Sequence, residues 1–179
     1  MHKIPYQGQK EYQKLIISLL ESAFPVNERP TAKVFFDSLK REENTLLLYF
    51  DEEVFVGFAY LSLYQDVCYL FFLAVVATKR HQGYGGLILE DIKKMYQDYV
   101  ILIAYEEVDQ KYPNYEERKK REQFYLKRGF KNNQMKTNEF GVVYQTVFIG
   151  DHRVSFLTYR EVFKLGFGEK AIKNIKEVL

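Results

Sequence analysis

The stretch from Phe71 to Tyr99 constrains the fold more than any other part of the chain, because it combines a buried strand, a glycine-rich loop and a helix. Residues 69–76 are almost all apolar, with many aromatic and β-branched side chains, which is typical of a strand buried on both faces. After the loop, apolar side chains recur at three- and four-residue intervals, which predicts a helix with one buried face. These apolar positions are Ile88, Ile92, Met95, Tyr96 and Tyr99.

The loop between that strand and that helix runs from Arg80 to Gly86 and reads Arg-His-Gln-Gly-Tyr-Gly-Gly. A helix N-terminus has four backbone N–H groups without intrahelical partners and about half a positive charge, so it attracts phosphate. Glycine lets the backbone take left-handed conformations and lets an anion approach closely. The pattern indicates a phosphate-binding loop, and a tight turn that needs several glycines is the alternative.

Two common nucleotide-binding motifs do not fit this loop. A P-loop ends in Gly-Lys-Ser/Thr, whereas leucine and isoleucine follow the last glycine here. A dinucleotide fingerprint needs a third glycine at the position of Ile88. The loop instead resembles the acetyl-CoA signature of the GNAT superfamily of N-acetyltransferases, Gln/Arg-x-x-Gly-x-Gly/Ala, which Arg80, Gly83 and Gly85 match.

A second short motif, FYLKRGF, follows after one more predicted strand. Many GNAT enzymes carry Tyr-x-x-x-Gly-Phe at this place, and Tyr125, Gly129 and Phe130 match it. The resemblance covers residues 4–149. The chain departs from the family on the helix before the motif, where arginines stand at positions that often hold asparagine and alanine. The family's asparagine contact to the cofactor is therefore not transferred to this chain.

Those two arginines, Arg118 and Arg121, share a helix face with Tyr125 by their three- and four-residue spacing. If Tyr125 faces the cofactor, we expect one of the arginines to reach a phosphate or an acidic part of the acceptor. The alternative is a solvated face on which Glu117 pairs with Arg121.

The order of the predicted elements decides the fold class. Periodicity predicts helices at 11–24, from Pro30 and at 115–128, and strands at 45–50, 54–64, 68–76 and 100–105. The first three strands are joined by short turns and must pair antiparallel, whereas strand 100–105 returns after a helix and should run parallel to strand 68–76. The resemblance implies an α/β (α+β) fold, GNAT-like, with a mixed, mostly antiparallel sheet, a central parallel strand pair and helices on both faces.

The C-terminal part of the chain is less regular. The remaining elements are predicted, in order, as a polar loop at 131–141 within a hairpin, a strand at 142–149, a short strand at 154–157, a helix capped by Thr158 with Glu161, and a helix at 169–179. We expect residues 1–150 to form the acetyltransferase domain and residues 151–179 to form a strand and helical extension packed on the same domain.

Composition limits the partners and the compartment. The 26 basic and 24 acidic residues among 179 give a formal net charge of +2, which offers no strong field for nucleic acid or membranes. We therefore expect no nucleic-acid partner and no membrane partner. The one cysteine, Cys68, lies in an apolar strand and is expected to be a buried, inert thiol. Without a signal peptide or an apolar stretch of spanning length, a cytoplasmic location is expected.

Acyl transfer to an amine implies an acid and a base. The amine must lose a proton before it attacks the thioester, and the leaving thiolate must gain one. In related enzymes the tyrosine of the second motif lies near the thioester sulfur, so the resemblance implies Tyr125 as the acid. Glu106, at the end of strand 100–105, is the predicted base, and Glu107 is the second choice because alternation turns only one of them to the cleft. His81 and His152 are weaker candidates.

The cofactor contacts are expected to be mostly backbone. N–H groups of Gln82, Gly83, Tyr84, Gly85 and Gly86 would hold the pyrophosphate of acetyl-CoA, and Arg80 would add charge. Main-chain groups of Leu73 and Val75 would pair with the pantetheine amides as an added strand does. No metal is expected.

Two classes of function follow from these patterns. The first is an N-acetyltransferase that moves the acetyl group to a primary amine by direct transfer in a ternary complex. The second is a non-catalytic acyl-CoA-binding module that acts as a sensor or partner protein. The sequence leaves the acceptor open between small molecules and peptide amines, and a homodimer is one arrangement that it allows. Glu28, in the loop after the first helix, either lines the substrate mouth or is solvated.

Overall fold

A computed structural model of the protein describes residues 1–178, which form one eight-stranded sheet with helices on both faces. The strands are β1 (His2–Pro5), β2 (Asn44–Asp51), β3 (Val54–Tyr64), β4 (Val67–Val75), β5 (Val100–Glu106), β6 (Lys131–Glu139), β7 (Val142–Ile149) and β8 (Ile175–Val178). The helices are α1 (Lys10–Ala23), α2 (Ala32–Ser38), α3 (Tyr84–Met95), α4 (Tyr115–Leu126), α5 (Phe156–Phe167) and α6 (Glu169–Ile172), with a 3-10 turn at Ala77–Lys79.

The sheet has the strand order β1-β2-β3-β4-β5-β7-β6-β8. Strands β4 and β5 run parallel and the other neighbours run antiparallel, so the predicted mixed sheet with a central parallel pair is confirmed. The parallel pairing covers only Val67–Leu70 against Val100–Ile103. The two strands therefore diverge after Leu70, and in the described residues no strand pairs with the second half of β4 on that side.

Hydrophobic cores lie on both faces of the sheet, because side chains of successive strand residues point to opposite faces. On one face, α3 and α4 pack through Ile88, Leu89, Ile92 and Tyr125. On the other face, α1 and α2 pack through Ile16, Leu19, Leu20 and Phe35, and α5 packs beside them through Tyr159, Val162 and Phe163. None of the helices within residues 1–178 is both long enough and apolar enough to span a bilayer.

The N-terminal helices begin and end close to where the sequence predicts. Helix α1 ends two residues before Pro25, and the Thr31 hydroxyl caps α2 by accepting a hydrogen bond from the Val34 N–H. Phe35 and Ser38 of α2 are buried, whereas Val34 is 43% exposed. In the second motif, α4 ends at Leu126, and Gly129 has φ +88°, a left-handed conformation that favours glycine soon after a helix end.

The C-terminal prediction needs four corrections. Residues 131–139 form strand β6, not a polar loop, because they pair with β7 on one side and β8 on the other. Residues 154–157 do not form a strand, since α5 begins at Phe156 and Ser155, not Thr158, is its N-cap. The predicted helix at 169–179 is too long, because the helix α6 ends at Ile172 and the strand β8 follows it. Leu179, the last residue of the predicted helix, lies outside the described residues.

Candidate active site

A cavity of about 1430 Å³ opens where β4 and β5 diverge. Its lining comes from β4, the loop before α3, α4, the loop between α1 and α2, the β6–β7 hairpin and the C-terminal helices. Six of the eight residues predicted to bind the cofactor line it: Leu73, Val75, Arg80, Gly83, Gly85 and Gly86. The two predicted catalytic residues, Tyr125 and Glu106, line it as well.

One end of this cavity, which we call the glycine-loop end, is formed by the N-terminus of α3. Gly83 caps the helix with φ +89°, a left-handed conformation that favours glycine. A Cβ atom on Gly85 would lie 3.7 Å from Phe124 and 3.8 Å from Val75, two side chains that also line the cavity. The N-terminus of α3, whose first backbone N–H groups have no intrahelical partners, therefore lies at the cavity wall.

The side chains of the other two predicted cofactor residues do not line the cavity. The Gln82 amide donates to the Thr78 carbonyl at 2.9 Å, and the Tyr84 hydroxyl donates to Asp51 at 2.5 Å. Their side chains hold the loop in place, so any contact with the cofactor must come from their backbone, which is the contact that the sequence predicts.

The second half of β4 presents to the cavity main-chain groups that no neighbouring strand within residues 1–178 pairs with. The main-chain groups of successive strand residues point alternately to the two neighbouring strands. The Val76 N–H donates to the Val56 carbonyl in β3, so Ala74, two residues earlier, also directs its main-chain groups to β3. Leu73 and Val75 direct their N–H and C=O groups to the other side, toward the gap between β4 and β5. The Val75 carbonyl accepts a hydrogen bond from the Arg80 side chain at 3.1 Å, in agreement with this direction.

Arg128 is a basic residue of the glycine-loop end for which the sequence analysis gives no role. Its guanidinium lies 3.9 Å from the centre of the Phe124 ring and donates to the Phe124 carbonyl at 2.9 Å. A Cβ atom on Gly86 would lie 2.6 Å from this guanidinium, so Arg128 reaches the first turn of α3. Its place in the second motif, four residues after Phe124, is the signal that could have indicated this contact.

Tyr125 lies in the wall of the cavity with its ring packed in the core. The ring is 8% exposed, and its centre is 5.8 Å from that of Tyr105 and 5.9 Å from that of Phe130. Burial raises the pKa of the Tyr125 phenol, an effect that the Arg121 charge partly offsets. No group within residues 1–178 forms a hydrogen bond with the Tyr125 hydroxyl, so the proton of that hydroxyl is free to be donated.

Glu106 ends strand β5 and forms an ion pair with Arg121. Its side chain is only 6% exposed, whereas that of Arg121 is 43% exposed. The two helix arginines therefore have different roles. Arg121 lines the cavity, whereas Arg118 is turned away and donates to the Glu107 carbonyl and to Asn114, which fixes the loop after β5. The alternative pairing of Arg121 with Glu117 is not present.

Glu107 does not line the cavity. Its carboxylate pairs with Lys111 at 2.9 Å and with Lys136 at 2.8 Å. Hydrogen bonds from these two lysines hold the pKa of Glu107 at about 2. Glu107 therefore ties the loop after β5 to strand β6, and a carboxylate with so low a pKa is a weak base at neutral pH.

Glu107→Gln is expected to destabilise the protein by about 1–2 kcal/mol at pH 7, a low value because both lysines face solvent and screening weakens each pair. The pKa in the folded state is below that in the unfolded state, so this stability is present above about pH 4.5 and disappears as pH falls toward 2. Urea unfolding at pH 7 and pH 3 measures the difference. Glu116→Gln, at an exposed position on α4, is the matched control, and an equal loss in both variants would contradict the role of the lysine pairs.

The histidines and the cysteine are placed as follows. His81 lies in the glycine loop, has φ +61° and lines the cavity. His152 lies outside the cavity, on the surface between Asp151 and Asp66. Burial raises the pKa of the Cys68 thiol well above its usual range, in agreement with its predicted inertness. No cluster of three or more His, Cys, Asp or Glu side chains suited to a metal ion is found in the described part of the chain.

The other end of the cavity, which we call the acidic end, is formed by Glu28, Tyr69, Glu139 and Tyr144. The Tyr144 hydroxyl donates to Glu28 at 2.9 Å, and Tyr144 lies directly opposite Glu106 in the sheet. Glu139 is 8% exposed, and sequence reasoning missed it because a charged residue in a polar stretch is usually solvated. Of the four, only Glu28 was considered as a substrate contact from the sequence.

Several solved structures with a similar fold are described as acetyltransferases. A protein from Bacteroides thetaiotaomicron described as a GNAT-family acetyltransferase has a TM-score of 0.74 at 18% identity, covering 94% of this chain and 99% of its own. An aminoglycoside 6'-N-acetyltransferase complexed with coenzyme A has a TM-score of 0.68 at 16% sequence identity, and the match covers 83% of this chain and 96% of that one. The ribosomal-protein-S18-alanine N-acetyltransferase from Escherichia coli has a TM-score of 0.64 at 14% sequence identity, and the match covers 87% of this chain and 97% of that one. Among curated protein sequences, none matches the chain.

At these identities the similarity shows the fold, and it is the fold of the acetyltransferases. The sequence adds the family itself, because residues 13–130, more than half of the chain, match the Acetyltransferase (GNAT) family. The chain belongs to the GNAT family.

Proposed function

We propose that the protein is an N-acetyltransferase that moves the acetyl group from acetyl-CoA to a primary amine by direct transfer in a ternary complex. The observation that supports this most is that the glycine loop, Tyr125 and Glu106 line one continuous cavity. The residues that would bind the phosphates and those that would transfer protons thus line the same space, in which two substrates could meet.

The glycine-loop end fits acetyl-CoA. The N–H groups of the first turn of α3 would bind the pyrophosphate, with Arg80 and Arg128 adding positive charge. Leu73 and Val75 would use the main-chain groups that they turn toward the cavity to bind the pantetheine amides in the manner of an added strand. Gly85 supports this fit, because its missing side chain leaves the space between Phe124 and Val75 open.

In the transfer, the acceptor nitrogen loses two protons and the leaving thiolate gains one. Glu106 would take a proton from the ammonium group of the acceptor, directly or through a water molecule, while Arg121 holds the carboxylate in place. The amine nitrogen then forms a bond to the carbonyl carbon as the carbon–sulfur bond breaks, and Tyr125 would give its proton to the departing thiolate. The second proton that the nitrogen loses would return to the Tyr125 oxygen, directly or through water, which leaves a neutral amide and a neutral thiol. Glu107 is the poorer candidate for the base, because it lies outside the cavity and is held by two lysines.

Three further proposals complete this function. Residues 1–150 and 151–179 belong to one domain, which is supported by the packing of α5 on the sheet. The protein works without nucleic acid, membrane or metal. A second copy of the chain remains an allowed partner.

Calorimetry with acetyl-CoA and free CoA, followed by thiol release against a panel of primary amines, tests the proposed function. We expect acetyl-CoA to bind with a dissociation constant on the order of micromolar and thiol release to depend on an added amine. Tight binding without amine-dependent thiol release would favour the alternative, a non-catalytic acyl-CoA-binding module. Without binding, the glycine loop would be only a turn.

A further inference from the structure

The acidic end of the cavity has a charge that the transfer reaction does not require. Glu106 already supplies the proposed base, yet Glu28 and Glu139 add two more carboxylates to the same cavity. In the described part of the chain, neither of these two forms an ion pair with a lysine, arginine or histidine, unlike Glu106 and Glu107. A buried carboxylate such as Glu139 is normally paired with a cation, and the half-buried Glu28 beside it adds a second unpaired negative charge.

Glu139 is held in place from behind, with part of its carboxylate left free. The buried Thr137 hydroxyl donates to Oε1 at 2.7 Å, and the buried Tyr159 hydroxyl, itself hydrogen-bonded to Tyr69 at 3.1 Å, donates to the same oxygen. Within residues 1–178 no hydrogen bond reaches Oε2. Two hydroxyl groups thus orient a carboxylate whose second oxygen faces the cavity.

Burial makes the negative charge of Glu139 costly. Burial, together with the nearby negative charge of Glu28, raises the pKa of Glu139 to about 7, although the hydrogen bonds from Tyr159 and Thr137 lower it. The other charged or titratable groups that line this end are Arg29 beside Glu28, Tyr69 on β4, Tyr144 on β7 and Lys170 on α6. Arg29 pairs with Glu21 and donates to the Phe24 carbonyl, so it does not neutralise Glu28 or Glu139. Lys170 is exposed and pairs with neither glutamate. A bound cation would remove the cost of the buried charge.

Sheet geometry gives the separation between the proposed base and this free carboxylate. Glu106 lies opposite Tyr144, and Tyr144 lies opposite Thr137, two residues before Glu139. With strands about 4.8 Å apart and a rise of about 3.3 Å per residue, the Cα atoms of Glu106 and Glu139 are about 12 Å apart. Between them lies the aromatic ring of Tyr144 on β7, and on the β4 side of the cavity Phe71, Phe163 and Phe167 pack together to form an aromatic wall. An alkyl spacer fits such a wall.

We propose that the acceptor is an alkyl amine that carries a second protonated nitrogen, a diamine or polyamine, and that Glu139 and Glu28 bind this second cation. The inference rests on the proposed function, because it assumes that one nitrogen is acetylated near Glu106. The reacting nitrogen lies at the glutamate of β5, the methylene chain lies along the aromatic wall, and the distal ammonium group lies between the two unpaired carboxylates.

Matched acceptors test this inference. The rates of thiol release are compared for 1-aminobutane and 1,4-diaminobutane, and for 1-aminopentane and 1,5-diaminopentane, with spermidine as a longer probe. We expect kcat/KM to be about 10- to 100-fold higher for each diamine than for its monoamine, because a hydrogen-bonded ammonium–carboxylate contact is worth that much. Equal use of both members of each pair would overturn the inference and leave the proposed function intact.

Glu139→Gln keeps the shape of the side chain and removes its charge. We expect it to lower the diamine preference about 10-fold or more, through KM, while the dissociation constant of acetyl-CoA stays the same. Glu28→Gln should do the same, and it provides an independent test if Glu139→Gln folds poorly. Glu177→Gln is the control, because Glu177 is exposed on β8 beside the same strand and does not line the cavity.

The pattern of the results separates the explanations. A loss of kcat that is equal for monoamines and diamines in Glu139→Gln would mean that Glu139 serves the reaction or the fold, and not a second cation. Thiol release that no amine stimulates, with or without acetyl-CoA binding, would contradict the proposed function together with this inference.

Discussion

Tyr125→Phe is expected to lower the kcat of acetyl transfer by about 10²- to 10³-fold, because the variant lacks the hydroxyl that we propose protonates the leaving thiolate. Phenylalanine keeps the ring that packs against Tyr105 and Phe130. The hydroxyl makes no hydrogen bond within residues 1–178, so its removal leaves no buried partner unsatisfied. Steady-state thiol release, the acetyl-CoA dissociation constant and the melting temperature together measure the effect, and only the first should change.

Tyr105→Phe is the control, because Tyr105 is the neighbouring buried tyrosine and does not line the cavity. Its hydroxyl donates to Glu122 at 3.1 Å and accepts from Gln145 at 2.8 Å. The variant should lose about 1 kcal/mol of unfolding free energy while its kcat stays close to that of the unmodified protein. If Tyr125→Phe kept full activity, the acid would have to be another group or water.

The part of the fold that sequence reasoning predicts best is the part that local chemistry and chain connections determine. Short turns leave strands β2, β3 and β4 no choice but antiparallel pairing, and the helix between β4 and β5 makes that pair parallel. Local chemistry also determines the glycine loop, because the turn before α3 needs a left-handed backbone conformation at Gly83. The residues of this loop lie at the cavity because of their backbone, which explains why a short motif could locate them.

The acidic end could not be predicted in this way, because long-range contacts determine it. Strand β6 contains polar residues at nearly every position, and its strand structure comes from pairing with β7 and with β8, whose residues lie far away in the sequence. Its alternating burial, with Met135, Thr137 and Glu139 inside, becomes visible only when the register is known. A buried glutamate contradicts the usual preference of that residue for solvent.

Arg121 shows the same limit at a single side chain. Helical spacing correctly places it on the Tyr125 face, and Glu117, four residues earlier, is the nearest partner by sequence. The structure pairs it instead with Glu106, which is less exposed than any carboxylate of the helix surface and belongs to another element. Local spacing gives the face of a helix, whereas the choice of partner on that face depends on what packs opposite.

Gly85→Val is expected to weaken acetyl-CoA binding by at least about 100-fold without unfolding the protein. The position has ordinary helical backbone, and replacing glycine inside a helix removes a source of instability, so the fold should be kept. A Cβ atom there would lie in normal contact with Phe124 and Val75, but the two further methyl groups of valine extend into the space between them. That space is where we propose that the pyrophosphate approaches the backbone N–H groups, and loss of several such hydrogen bonds to an anion accounts for the size of the effect.

Gly8→Val separates this effect from a loss of stability. Gly8 has φ +95° with no atom near its missing side chain, and it lies outside the cavity, so valine there strains the backbone without blocking anything. We expect Gly8→Val to have the lower melting temperature of the two variants and to bind acetyl-CoA normally, as measured by calorimetry. Gly85→Ala should fall between the unmodified protein and Gly85→Val, because a single methyl group fills only part of the space. Normal acetyl-CoA binding by Gly85→Val would mean that the phosphates lie elsewhere, and the glycine loop would then have to be explained by the turn before α3 alone.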